Sequence, residues 1–129
     1  MGNLSTTQVI GLTTTAIDNL TETQIGALTA AQVGKLSVAQ LGVLSTTEFT
    51  SLTATQAGAL TSTQVGGLTT TNFAALSTTG ITALSTTAIA GISVADIEAL
   101  TTTQGNAFTG TQIGVLSSDQ LSALVTLVT

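Results

Sequence analysis

From Leu4 to Ala123 the chain repeats one eight-residue pattern fifteen times without an insertion or deletion. A register held that strictly requires every unit to meet its neighbours in the same way, which confines the fold to a stack of like units. The first position is Leu in thirteen units, with Ile92 and Phe108 in the other two, and the second is Ser or Thr in all fifteen. The sixth is Val, Ile, Leu or Phe except at Ala57 and Gly105. Gln occupies the fifth position nine times, at Gln8, Gln24, Gln32, Gln40, Gln56, Gln64, Gln104, Gln112 and Gln120. Glu48, Asn72 and Asp96 are polar relatives there, and Ala16, Gly80 and Ala88 depart from the rule.

A single long helix does not fit this interval. Eight residues at about 100° each would carry the Leu column about 80° round the axis with every unit, so no apolar stripe forms. One straight strand fails too, because positions one and six would face opposite sides of the pleat. What remains is a chain that turns once per unit.

Very short helices explain the pattern best. With the second-position Ser or Thr as N-cap, the Gln three residues later is N3, and the two form a capping box. The expected caps include Ser5, Thr13, Thr21, Thr29, Ser37, Ser45, Thr53 and Thr61. The Leu before each cap and the aliphatic at position six then form a hydrophobic staple. They are the expected core: Leu4, Leu12, Leu20, Leu28, Leu36 and Leu44 with Val9, Ile17, Ile25 and Val33. Small residues at positions seven and eight, as in Gly26-Ala27, let the chain stop and turn.

One such helix is far below the ~12 residues at which an isolated helix becomes marginal, so stacking must hold it. The predicted fold is therefore all-α, a tight α-solenoid with one capped helix per octad and Thr and Gln columns facing water. A β-solenoid is the alternative. The pattern is compatible with two, three or four helices per coil. Met1, Gly2 and Asn3 read as a leader or added residues, residues 4–123 as one solenoid, and "LVTLVT" at 124–129 as a truncated sixteenth unit.

The L-[ST]-x-[TA]-Q-[IV]-G-A units, such as "LTETQIGA" and "LTSTQVGG", resemble the Thr-rich octapeptide arrays of large bacterial secreted or surface proteins, often adhesin-like. The likeness spans residues 4–123. It implies a repetitive spacer or stalk in a secreted or surface protein, and supplies no catalytic residue.

The composition agrees with a folded, chemically quiet module. Hydrophobic residues make up 43% and charged residues 5%, so the chain has apolar surface enough to fold. A net charge of -5 argues against nucleic acid and acidic membrane surfaces as partners. No basic segment followed by an apolar core marks a signal peptide, and no apolar run approaches membrane-spanning length despite a mean hydropathy of +0.57. Without His or Cys, the usual general base, thiolate and zinc ligands are missing. We expect no enzyme activity, no cofactor and no metal.

The carboxylates Asp18, Glu22, Glu48, Asp96, Glu98 and Asp119 are scattered and form no calcium-loop motif. Asp96 and Glu48 stand at the Gln position and read as N3 partners of Ser93 and Ser45, while Asp18 and Glu98 read as solvated. Asn3 and Asn19 open N-x-[ST] sequences, for which a structural role outweighs glycosylation.

Two features bear on partners. Position four is Thr in eleven units, from Thr7 to Thr111, so a solenoid would display a regular Thr ladder of the sort that could engage ice or another ordered surface. The apolar ending "LVTLVT", in which Val125 breaks the Ser/Thr rule, is unlike a polar capping repeat and predicts head-to-tail self-association. The reading is a non-enzymatic structural module prone to end-to-end assembly, with surface binding through the Thr ladder as the alternative.

Overall fold

The computed structural model describes residues 5–129; Met1, Gly2, Asn3 and the first expected core residue, Leu4, lie outside the described residues. Within them the chain forms fifteen helices and no strand, which removes the β-solenoid alternative. The first coil holds α1 (Thr6–Ile10), α2 (Thr14–Asp18) and α3 (Glu22–Gly26), and the second α4 (Ala30–Lys35), α5 (Val38–Gly42) and α6 (Thr46–Thr50). The third holds α7 (Ala54–Gly58), α8 (Ser62–Gly67) and α9 (Thr70–Ala74), and the fourth α10 (Thr78–Ala83), α11 (Thr86–Ile89) and α12 (Val94–Glu98). The last holds α13 (Thr102–Gly105), α14 (Gly110–Ile113) and α15 (Ser118–Val128).

Each helix starts where the sequence places its cap. The second-position residue is extended, as at Ser5 with φ -74° and ψ 164°, and this breaks the preceding helix while its hydroxyl takes up an orphan amide. In every described helix that hydroxyl accepts from the amide three residues on. The next cap arrives before a third turn can form, so length is set by cap spacing.

Stacking is three helices per coil. α1 packs on α4, α4 on α7, α7 on α10 and α10 on α13; α2, α5, α8, α11 and α14 form a second column, and α3, α6, α9, α12 and α15 a third. The sixth-position side chains fill the centre: Val9, Ile17, Leu41, Phe49, Val65, Phe73, Ile81, Ile89 and Ile97 are all fully buried. First-position Leu28, Leu36, Leu44, Leu52 and Leu60 line the corners and are also buried. Ile25 and Val33 join them, whereas Leu12 and Leu20, in the first coil, are only half-buried.

The glycines play a different part from the one expected. No described residue has positive φ, so none is needed for a left-handed turn. They permit close approach between coils: a Cβ on Gly34 or Gly58 would lie 3.1 Å from the carbonyl of Ala59 or Ala83 in the coil above. At the same position, Thr50 and Thr82 instead donate from Oγ1 to the carbonyls of Ala75 and Ala107, at 2.7 and 3.0 Å.

Residues 124–128, where the sequence places the start of a sixteenth unit, continue α15. Val125 offers no hydroxyl to cap a new helix, so nothing interrupts the old one. The extension lies across α13, with Leu124 buried and Leu127 and Val128 half-buried. It also accounts for Gly105: a Cβ there would come within 2.8 Å of Leu127 Cδ2 and 2.9 Å of Val128 Cγ1. The missing aliphatic at position six of α13 is replaced by side chains from the end of the chain.

Candidate functional site

The most distinctive local chemistry belongs to the fifth position. In each capping box the Gln Oε1 accepts from the N-cap amide, as for Ser37 N to Gln40 at 2.8 Å and Thr53 N to Gln56 at 3.0 Å. The other end of the same amide reaches the end of the helix four units earlier. Gln40 Nε2 donates to the carbonyls of Val9, Ile10 and Leu12 at 3.1, 3.2 and 2.8 Å. Gln56 does the same to Ile25, Gly26 and Leu28, and Gln112 to Ile81, Thr82 and Leu84. Gln64, Gln104 and Gln120 each reach two such carbonyls.

One side chain thus satisfies the orphan amide at the start of its own helix and the orphan carbonyls at the end of a helix four units earlier. The expectation that the Gln column faces water is corrected: Gln32, Gln40, Gln56 and Gln64 are 2–3% exposed. Only Gln8 and Gln24, with no coil below them among the described residues, are exposed. A carboxamide alone among the common side chains combines an acceptor and a two-hydrogen donor at this reach, which explains the preference for Gln over Glu.

The substitutions at this position follow from the same chemistry. Glu48 keeps the first half of the staple, with Oε1 accepting from Ser45 Oγ at 3.0 Å and from Ser45 N at a long 3.5 Å. It loses the second half, because its Oε2 is buried without a hydrogen-bond partner. Asp96 closes a box with Ser93 and is buried, the structural role expected of it, and its shorter side chain has no partner in the coil below. At Ala16, Gly80 and Ala88 the cap hydroxyl acts alone.

The other sequence-selected residues lie on the outside. All eleven position-four Thr residues are exposed, stacked in three columns: Thr7, Thr55, Thr79 and Thr103 in the first, Thr15, Thr63, Thr87 and Thr111 in the second, Thr23, Thr47 and Thr71 in the third. Ala31, Ala39 and Ala95 interrupt the columns. Five of the six carboxylates, Glu22, Glu48, Asp96, Glu98 and Asp119, fall on the third column, a clustering that the linear sequence hides. They are spread along it, and among the described residues no group of three or more His, Cys, Asp or Glu could hold a metal ion. Asp18 and Glu98 are exposed, and Asn19 is the C-cap of α2. An open groove of about 770 Å³ runs between α12 and α15, lined by Val94, Glu98, Asp119 and Leu127 among others. No described helix is long and apolar enough to cross a membrane.

Residues 89–126 match the ALTTAQ repeat family model. The matched stretch runs from α11 into the extension of α15 and includes four intact caps, Ser93, Thr101, Thr109 and Ser117. Searches of curated proteins and of solved structures return no match. The chain is a repeat protein, and the stretch that this model matches has the same capped-helix geometry as the units before it.

Proposed function

We propose that this chain is a non-enzymatic structural module, a spacer or stalk segment of a secreted or surface-associated bacterial protein, that assembles end to end. The observation carrying the reading is the glutamine staple. Buried polar chemistry is spent on joining one coil to the next, in the same way along the stack, and that suits a rod whose length is set by the number of units. The secreted or surface setting follows from the resemblance to Thr-rich bacterial arrays, and the ALTTAQ match supports the repeat character.

Removing residues 52–75, one complete coil, is the test of the spacer role. The shortened chain should remain helical, and its maximum dimension by small-angle X-ray scattering should fall by about 8–10 Å, one helix-to-helix spacing. Loss of the folded state on removing a whole coil would refute modular construction.

The exposed Thr columns favour a second reading, in which one face binds ice or another ordered surface. Thermal hysteresis in dilute solution, lost when Thr55, Thr79 and Thr103 become Val, is its signature. Its absence removes this reading and leaves the spacer in place.

A further inference from the structure

Each coil presents two unlike faces. Position-six side chains point to the following coil and position-five side chains to the preceding one: a Cβ on Gly80, at position five of α10, would lie 3.8 Å from the Cβ of Ala57, at position six of α7, and the position-five Gln side chains reach carbonyls of earlier helices. Among the described residues these faces are open at the two ends of the stack. In the first coil Gln8 and Gln24 are exposed, and among the described residues their side chains bond only through Oε1, which accepts from Ser5 N and Thr21 N. In the last coil the position-six residues Ile113 and Leu121 are 37% and 39% exposed, with Val125 at 49% beside them. Their internal equivalents are fully buried. The ends are the two halves of an interface that the molecule already builds between each of its coils.

We infer that a second copy of this chain stacks its first coil on α14 and α15, turned on by one helix relative to a simple continuation. This rests on the end-to-end assembly proposed above and specifies its register. Residues 124–128 already fill the place over α13, so the first open place is over α14. With α1 of the second copy on α14 and α2 on α15, Ile113 and Leu121 are covered. Gln8 of the second copy then stands four units beyond α13, the offset at which each internal staple meets its carbonyls. Like faces do not pair in this arrangement, so the contact is heterologous and can propagate.

Internal contacts give the cross-link that tests the register. A Cβ on Gly67 would touch Val38, and one on Gly91 would touch Ser62, each pair joining the end of one helix to the start of the helix below. The corresponding pair across the junction is Gly110 of one copy and Gly11 of the next. Both accept a side chain: nothing lies within 4 Å of a Cβ on Gly110, and the nearest atoms to one on Gly11 are 3.5 Å away. The chain has no Cys, so introduced thiols are the only ones present.

Single variants Gly11→Cys and Gly110→Cys, mixed and oxidised, should give a disulfide-linked dimer in high yield. The pair Gly11→Cys with Thr102→Cys, which reports α1 over α13, should not. Light scattering after size exclusion should show the wild-type mass rising at least twofold above 12.7 kDa with concentration. Ile113→Lys combined with Leu121→Lys should hold it at one chain, with the helical circular dichroism kept. Assembly without the 11–110 cross-link, or with the 11–102 cross-link in its place, overturns this register and leaves assembly standing. A wild-type chain that stays monomeric at every concentration overturns both.

Discussion

Gln56 donates from Nε2 to the carbonyl of Leu28 at 2.9 Å while its Oε1 accepts from Thr53 N at 3.0 Å, so one amide ties a helix start to the coil beneath it. Gln56→Glu replaces the donor by a buried acceptor facing carbonyls. We expect a loss of about 1–3 kcal/mol, the range for a buried polar group left unsatisfied, read from urea unfolding. Gln24→Glu, at an exposed site without a lower coil, should stay within about 0.5 kcal/mol of wild type. Equal effects at the two sites would mean that the inter-coil bonds contribute nothing.

Glu48 is the natural counterpart of that experiment. Its Oε2 is buried and unpartnered where the equivalent Nε2 of Gln40 or Gln56 meets carbonyls. Glu48→Gln should therefore raise stability, by about 1 kcal/mol on the scale of one net hydrogen bond. A lower urea midpoint would contradict the staple.

The caps make a third case. Thr53→Ala removes the hydroxyl that accepts from Gln56 N at 3.1 Å and should cost about 1 kcal/mol. Thr55→Ala, two residues on and exposed, should be close to neutral. If both changes are neutral, helix starts are set by packing and not by capping.

Glycines should divide by position. A Cβ on Gly91 would run into the backbone of Ser62, whereas one on Gly26 meets nothing within 4 Å. Gly91→Ala is expected to destabilise by about 1–3 kcal/mol through overpacking against backbone, and Gly26→Ala to stabilise by about 0.4–1 kcal/mol through the unfolded state. Thermal melts of the two variants give opposite shifts if close approach is the reason for Gly91.

Leu124 anchors the extension of α15. Truncation to Ala should cost about 2–5 kcal/mol, as for other buried leucines, with part of the loss arising from α13 being uncovered. A cost below 1 kcal/mol would mean that residues 124–128 are not part of the cooperative core.

Local chemistry was readable without coordinates. Ser or Thr at position two with a polar residue at position five announces a helix start whatever surrounds it, because the capping bonds span only three residues. Hence the caps from Ser5 to Thr61, the Asp96–Ser93 box and the position-six core follow from the sequence alone, which favoured an all-α fold over the β-solenoid that the structure then removed. The number of helices per coil did not, since every octad carries the same local signal and none says which other octad lies beneath it. The stack of three, fixed by how these helices pack, put the Gln side chains next to carbonyls four units back and so turned a column expected in water into buried cross-links. It also gathered five carboxylates on one edge, left Glu48 short of a donor, and laid Leu127 and Val128 over the gap at Gly105. Those outcomes depend on contacts between residues some 22 to 31 positions apart, which a pattern with a period of eight does not specify.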